Sequence, residues 1–305
     1  MTIDITEPLS GVAKVGEIEL AWQQFGDPDA PPIVLIMGFG AQSVRWPDTF
    51  CRRLADPGYR VIRFDNRDIG LSTILDGVRA PMLDPARMAR HWLGLPSPAP
   101  YTLADMADDT VGLFDALDLD RVHLIGESMG GMIAQIVAAE HPERIRSLGI
   151  VHSSTLQPFL PPPRPAAIRA MTTGPTDPSD PESILHQGAR ATMVIGSPGF
   201  PRPYEEHLEV ARASYERSYH PAGIIRQLAA LTGAGSLLPH SRRISAPTVV
   251  LHGKADPLVP IACGRAVARA IPDARLVTIP GWGHDLPEPL HRRLTDELLT
   301  VITPA

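Results

Sequence analysis

A serine between two glycines, at the junction of a predicted strand and a predicted helix, constrains this chain more than any other feature. Residues 126–130 read GESMG; an apolar run precedes them, and apolar residues at helical spacing follow up to Pro142. At such a turn the serine hydroxyl is held above the edge of the sheet. Side chains at Gly126 and Gly130 would collide with the neighbouring strand and helix. The motif therefore predicts a nucleophile at Ser128.

Composition and charge narrow the class of protein. The 305 residues are 44% hydrophobic and 20% charged, which is typical of a folded globular protein. A net charge of -6 without a basic stripe argues against a nucleic-acid partner. Cys51 and Cys263 stand alone, so we expect two small buried hydrophobes and neither a disulfide framework nor a metal site.

The amino terminus and the hydropathy of the chain bear on its location. Residues 1–8 lack the basic start and apolar core of a signal peptide. No apolar run approaches the roughly 18 residues that a membrane span needs. We therefore expect a soluble, cytoplasmic protein without a membrane span.

Strand and helix signals alternate through both ends of the chain. Segments 12–15 and 18–25 predict an antiparallel pair that turns at Gly16. Further strands are predicted at 33–37, 60–64, 121–125, 147–152, 248–252 and 276–279, and helices at 46–54, 102–117, 131–140, 261–270 and 290–302.

Two segments interrupt this alternation. Residues 155–240 are rich in proline and show helical stretches without a clear strand. We expect an α/β core over 1–154 and 241–305, with 155–240 inserted as a helical cap above the carboxyl edge of the sheet. Residues 79–100 fit a short lid helix near the active site, or a surface loop that packs its own hydrophobic side chains.

An acid and a base follow later strands in the order that a serine nucleophile requires. Asp256 comes after the predicted strand 248–252, at the sheet edge where ligands bind in open α/β sheets, although Asp-Pro is also a common turn. His284 lies after the last strand in the glycine-rich loop 281–284, where a surface histidine is the alternative. A serine needs such a base, itself oriented by a third group. The order predicts a triad of Ser128, Asp256 and His284.

A tetrahedral intermediate also needs backbone N–H donors for its oxyanion. Met129, which follows the nucleophile at the start of its helix, is one predicted donor. Phe39, flanked by Gly38 and Gly40 after the strand 33–37, is the other, although this tripeptide also fits an ordinary strand-to-helix turn. Gly38 and Trp282 are further predicted to contact the substrate.

These motifs together resemble the α/β-hydrolase superfamily over nearly the whole chain. Residues 126–130 resemble its nucleophile elbow, 253–256 its acid loop, 283–284 its histidine loop and 64–72 the turn after its fourth strand. The chain departs from many members at Asp68, where they have glycine, and at Met37-Gly38, where they have His-Gly. The resemblance implies a mostly parallel eight-stranded sheet flanked by helices.

Four stretches are similar, more narrowly, to bacterial carboxylesterases of the aclacinomycin-methylesterase type: 37–42, 46–47, 64–68 and 126–131. That resemblance implies hydrolysis of a small-molecule carboxylic ester, including a bulky or apolar one, without a metal or organic cofactor. Asp65 and Asp68 could suggest a metal site, but the nearby Arg63 and Arg67 favour ion pairs.

Other functions of the same scaffold stay open. They are C–C bond hydrolysis beside a ketone, a lyase reaction on cyanohydrins, and a receptor that binds a ligand without turnover. Haloalkane dehalogenation and epoxide hydrolysis are disfavoured, because those relatives carry aspartate where Ser128 stands. The oligomeric state is left open as well.

Overall fold

A single eight-stranded sheet organises the protein, for which a computed structural model describes residues 7–81 and 84–302. The strand order is β1-β2-β4-β3-β5-β6-β7-β8. β1 pairs with β2, and β2 with β4, in antiparallel fashion, whereas all other neighbours are parallel. The strands are β1 (Leu9–Val15), β2 (Ile18–Phe25), β3 (Pro32–Ile36), β4 (Arg60–Phe64), β5 (Val122–Glu127), β6 (Ile145–Val151), β7 (Thr248–Gly253) and β8 (Arg275–Ile279). The predicted mostly parallel sheet of eight strands is confirmed.

Helices connect the strands and cover both faces of the sheet. They are α1 (Asp48–Ala55), α2 (Pro85–Trp92), α3 (Leu103–Ala116), α4 (Met129–Glu140), α5 (Pro165–Thr172), α6 (Pro181–Ile195), α7 (Tyr204–Arg217), α8 (Pro221–Gly233), α9 (Leu238–Ser241), α10 (Ile261–Ala270) and α11 (His291–Leu299). One apolar core contains side chains of α3, α4 and α10, and the other contains side chains of α1 and α11. Every residue of β3, β5 and β7 is buried, because helices lie on both sides of these strands.

Local signals explain where the helices begin. Thr102 caps α3, as expected, and forms a reciprocal capping box in which its Oγ1 accepts from Asp105 N at 3.1 Å. The helix predicted from Trp46 begins instead at Asp48, because Pro47 holds the extended conformation of an N-cap. A short 3-10 turn, Ser43–Arg45, precedes it.

The two cysteines and segment 79–100 can be compared with their predictions. Cys51 and Cys263 are unpaired and buried in α1 and α10, which confirms them as small buried side chains. Segment 79–100 contains α2, so a helix forms there. Its apolar residues Trp92 and Leu93 are 52% and 41% exposed, and neither lines the cavity described below.

Among the described residues, no helix is both long enough and apolar enough to cross a membrane.

The chain between β6 and β7 is helical and is joined to the core by buried charges. Asp68 and Arg226 of α8 form a buried ion pair at 2.7 Å, and Asp65 pairs with Arg217 of α7 at 2.7 Å. The predicted ion-pair role of the two aspartates is therefore right, but the predicted partners are wrong. Arg63 pairs with Asp48, and Arg67 pairs with Asp109. The arginines that neutralise Asp65 and Asp68 come from α7 and α8, about 150 positions further along the chain.

Candidate active site

Ser128 occupies a strained turn between β5 and α4. Its φ of 55° and ψ of -118° lie outside the regions that side chains normally prefer. A Cβ atom on Gly126 would lie 2.3 Å from Gly130 O, and one on Gly130 would lie 2.2 Å from Ile36 O on β3. Glycine at both positions is therefore a steric requirement of the turn, in agreement with the sequence argument.

The loop after β3 lies directly against this turn. A Cβ atom on Gly38 would lie 3.0 Å from Ser128 Cβ, so a larger residue there would press on the serine. The loop is held by Gln227 of α8, whose Oε1 accepts from Gly40 N at 2.9 Å. Within the described ranges, the N–H groups of Phe39 and Met129 donate to no other protein group. Both predicted oxyanion donors therefore lack a protein acceptor among these residues, and Phe39 also lines the cavity described below.

Asp256 and His284 are in direct contact. The distance from Asp256 Oδ2 to His284 Nδ1 is 2.8 Å. The other carboxylate oxygen, Oδ1, accepts from Leu258 N at 2.9 Å and from Val259 N at 2.8 Å. Because a carboxylate only accepts, this contact assigns the Nδ1 proton to His284 and leaves its Nε2 as the basic nitrogen.

The segment that carries His284 is held by the last residue of α6 and by the residues that follow it. His284 N donates to Ile195 O at 2.8 Å, and Gly283 N donates to Ser197 Oγ at 2.9 Å. A Cβ atom on Gly283 would lie 2.2 Å from Gly196 O, so the two backbones pack in direct contact. The position of the histidine therefore depends on the end of α6.

The electrostatics of the pair favour a charged carboxylate and a basic imidazole. Burial lowers the pKa of His284, but the attraction of Asp256 outweighs it, and the pKa is raised above its ordinary value. Burial opposes ionisation of Asp256, yet the nearby His284 and His152 hold the pKa of its carboxyl well below its usual range. The pair is set up for His284 to accept a proton.

His152 and His252 also approach Asp256. His152 is fully buried and has a φ of 50°, and its Nδ1 lies 3.1 Å from Asp256 Oδ2. His252 Nε2 donates to Val259 O at 2.7 Å, and burial, together with His152, lowers the pKa of His252 to about 4. Sequence reasoning missed His152. It directly follows β6 at the same sheet edge as Ser128 and Asp256, which is the signal that could have found it.

The three side chains His152, His252 and Asp256 are of types that bind metals, and their ligand atoms lie within 4.8 Å of one another. The Asp256 oxygens, however, already accept from two backbone N–H groups and from His284. The carboxylate of this cluster is therefore already engaged by protein groups.

A cavity of about 340 Å³ lies over Ser128 and His284. This volume is within the range of small-molecule sites. Gly38 and Phe39 line it too, and most of its wall is apolar, with side chains of the core and of α5 to α8, among them Met37, Ile69, Met171, Ile184, Leu185, Ile195, Ile224, Leu258 and Leu286. Trp282 is not in this wall. It is fully buried against His152, and its Nε1 donates to Asp285 O at 2.7 Å, which contradicts the predicted substrate contact.

Proteins with related sequences include several hydrolases. A family model described as alpha/beta hydrolase fold matches residues 31–175, and one described as TAP-like protein matches residues 232–293. Rhodomycin D methylesterase of Streptomyces peucetius is 27% identical in an alignment 302 positions long, which covers 91% of this chain and 93% of that protein. The poly(3-hydroxyalkanoate) depolymerase of Ectopseudomonas oleovorans is 31% identical over 251 residues, 82% of this chain and 77% of that protein.

Solved structures share the fold. The enol-lactonase from Burkholderia xenovorans LB400 superposes with a TM-score of 0.70 at 24% identity, covering 96% of this chain and 99% of that one. The 2-hydroxy-6-oxo-6-phenylhexa-2,4-dienoate hydrolase from Rhodococcus sp. strain RHA1 superposes with a TM-score of 0.67 at 22% identity, covering 91% and 92%. The similarity to bacterial methylesterases that the sequence motifs indicated is confirmed by the first relative named above. Fold, strand order and sequence agree, and the chain belongs to the α/β-hydrolase family.

Proposed function

We propose that the protein is a serine hydrolase that cleaves carboxylic esters through an acyl-enzyme, with Ser128 as nucleophile, His284 as base and Asp256 as the orienting acid. The observation that carries this proposal is that Ser128 and His284 line one cavity while Asp256 holds His284 from behind at 2.8 Å. No hydrogen bond joins Ser128 to His284 among the described residues. Catalytic hydrogen bonds of this kind commonly tighten only when substrate is bound.

This geometry supports the following reaction. Ser128 Oγ attacks the ester carbonyl carbon while His284 Nε2 takes its proton, and Asp256 stabilises the imidazolium that forms. The carbonyl oxygen becomes an oxyanion that accepts from the N–H groups of Phe39 and Met129. A donor of this kind lowers the barrier by about 3 kcal/mol. His284 then protonates the leaving alcohol, and a water molecule repeats the steps on the acyl-enzyme to release the acid.

The helical segment 155–240 is proposed to act as a cap over this site. Its helices supply the cavity with Met171, Leu185, Thr192 and Ile224, and Gln227 of α8 anchors the loop that carries Phe39. Because these side chains are mostly apolar, the cap favours an ester with a substantial apolar part. The methyl ester named for the Streptomyces peucetius relative makes methyl esters the first substrates to test.

The decisive experiment compares Ser128→Ala with the unmodified protein on a methyl ester and on p-nitrophenyl butyrate. Loss of the nucleophile should reduce kcat by about 10⁴-fold or more while the protein stays folded. Ser147→Ala is a matched control, because Ser147 is buried on β6 and bonds His123 at 2.8 Å, away from the cavity. Ester hydrolysis that survives in Ser128→Ala would contradict the proposal.

Two further substrates separate ester hydrolysis from the other reactions of the fold. A β-diketone tests C–C bond hydrolysis, and a cyanohydrin tests the lyase reaction. We expect kcat/KM for the methyl ester to exceed both by about 100-fold or more, since the barrier difference between reaction classes is several kcal/mol. Binding of all three without turnover would instead indicate a receptor.

A further inference from the structure

Arg45 faces the cavity, and its guanidinium has no hydrogen-bond or ion-pair partner among the residues that the structure describes. It ends the 3-10 turn Ser43–Arg45, is partly buried, and lines the same cavity as Ser128 and His284. Among residues 7–81 and 84–302 its side chain makes no hydrogen bond and no ion pair. Burial, and then the charge of Arg202, lower the pKa of Arg45, whereas Glu127 and Asp285 act in the opposite direction.

Glu127 presents the opposite charge to the same cavity. It ends β5, immediately before Ser128, and is 8% exposed. Its carboxyl group also makes no hydrogen bond or ion pair within the part of the chain that the structure describes. Burial raises the pKa of Glu127, although the attraction of His284, His152 and Arg45 opposes this.

Several other polar side chains of the wall are already satisfied by the protein. Gln42 Nε2 donates to Ser214 O and Ser218 O at 2.6 and 2.8 Å, and its Oε1 accepts from Arg217. Asp285 accepts from Ser197 and lies 3.5 Å from Arg202. Arg45 and Glu127 differ from these residues, because neither charged group has a hydrogen-bond or ion-pair partner within the described ranges. A buried charge without a partner is costly, so its place in a cavity wall indicates a role toward a ligand.

The balance of charge selects among ligands. When all four side chains are ionised, the two positive charges of Arg45 and Arg202 balance the two negative charges of Glu127 and Asp285. A carboxylate that binds Arg45 would meet the repulsion of Glu127. A hydroxyl group satisfies both side chains, because its oxygen accepts from the guanidinium and its hydrogen is donated to the carboxylate.

We infer that Arg45 and Glu127 form a subsite for a neutral hydroxyl group of the ester substrate, an inference that rests on the proposed function. The subsite would make the protein prefer hydroxyl-bearing esters over the same esters without the hydroxyl. A site built to bind a hydroxyl group rejects the analogue that lacks it more strongly than an apolar pocket does, because its own polar groups are then left unpaired.

The test measures kcat/KM for methyl hexanoate and for its 2-, 3- and 6-hydroxy derivatives. At least one hydroxy ester should exceed methyl hexanoate by about 10-fold or more. In Arg45→Met and in Glu127→Met, kcat/KM for that hydroxy ester should come to within about 3-fold of kcat/KM for methyl hexanoate, since either change removes one side of the subsite. Arg212→Met is the matched control, because Arg212 of α7 pairs with Glu182 at the surface, and it should keep the ratio.

Binding gives a readout that does not need turnover. Calorimetry on the Ser128→Ala variant should show the same order, with the preferred hydroxy ester bound more tightly than methyl hexanoate. Equal kcat/KM values and equal affinities for all hexanoates would overturn the inference. A preference for the hydroxy ester that survives in both Arg45→Met and Glu127→Met would overturn it too. A preference for monomethyl adipate that depends on Arg45 would also overturn it, and would indicate a site for an anion. The proposed function fails separately, if esters are cleaved in Ser128→Ala.

Discussion

The Nδ1 atom of His152 lies 3.1 Å from Asp256 Oδ2, the same oxygen that accepts the hydrogen bond from His284. Two facing acceptors would repel each other, so we expect the proton of His152 on Nδ1, in a close electrostatic contact with the carboxylate that lacks the geometry of a hydrogen bond. The contact partly offsets the negative charge of Asp256 and so weakens the attraction of this carboxylate for a protonated His284. In His152→Phe the pKa of His284 should therefore rise, and the acid limb of kcat/KM should move up by about 0.5–1 pH unit, as expected for a weak charge-assisted contact.

A pH–rate profile measures this shift. His123→Phe is its control, since His123 is buried on β5 and bonds Ser147 rather than Asp256. An acid limb that stays in place or moves down in His152→Phe would contradict the prediction, whatever the effect on the maximal rate.

The acid limb of the unmodified protein follows from His284 itself. The base must be neutral to take the proton of Ser128, and its pKa is raised mainly by Asp256. We expect kcat/KM to fall as the pH drops through a value above the ordinary 6.5 of histidine.

Asp256→Asn should move the acid limb of the pH–rate profile to lower pH. It should also reduce kcat by about 10³–10⁴-fold, because the asparagine no longer fixes the tautomer of His284.

Gly130 tests the steric argument for the nucleophile turn. In Gly130→Ala the new Cβ would lie 2.2 Å from Ile36 O, and backbone has to move to relieve the clash. The free energy of unfolding should fall by about 3 kcal/mol or more, measured by urea denaturation. Gly174→Ala is the control, since nothing lies within 4 Å of its Cβ position, and it should change stability by less than about 0.5 kcal/mol. Equal stability of the two variants would contradict the clash.

The buried pair between Asp68 and Arg226 should carry much of the attachment of α8. Arg226→Met leaves Asp68 buried without its counter-ion, and the free energy of unfolding should fall by about 3–5 kcal/mol. The double variant with Asp68→Asn should recover part of this loss, because asparagine tolerates the φ of 69° without a charge. Arg292→Met removes only an exposed pair with Asp296 at 3.9 Å and should cost less than about 1 kcal/mol.

The two cysteines should resist thiol reagents in the native protein. Burial raises the pKa of Cys51 to about 12 and that of Cys263 to about 11, so little thiolate exists at pH 8. Labelling with a chromogenic disulfide should be slow at pH 8 and rapid in denaturing urea. Fast labelling of either thiol in the folded state would show that its helix opens readily.

The sequence predicted the positions of those site residues that directly follow a strand. A strand followed by a glycine-rich turn places its next polar residue at one sheet edge, and this reasoning located Ser128, Asp256 and His284. It failed for Trp282, because the glycines beside it allow close packing against Gly199 and Gly196 rather than exposure. The catalytic roles themselves stay predictions until the variants are measured.

Contacts between distant segments escaped the sequence argument. Asp68 meets Arg226 across 158 positions, and Gly40 meets Gln227 across 187. No local pattern indicates which of the 28 basic residues neutralises a given aspartate. The placement of Arg45 and Glu127 in the wall of one cavity was missed for the same reason, since the 3-10 turn after β3 and the end of β5 are far apart along the chain.

The hydrogen bond from His284 N to Ile195 O joins the proposed base to the last residue of α6, a helix that also lines the cavity. A ligand that pushes α6 outward would therefore displace the imidazole at the same time. Through this hydrogen bond, the binding of a ligand in the cavity would be coupled to the position of the His284 imidazole. An ester too large for the cavity would bind with the base out of line, so selection by size would act on kcat rather than on KM alone.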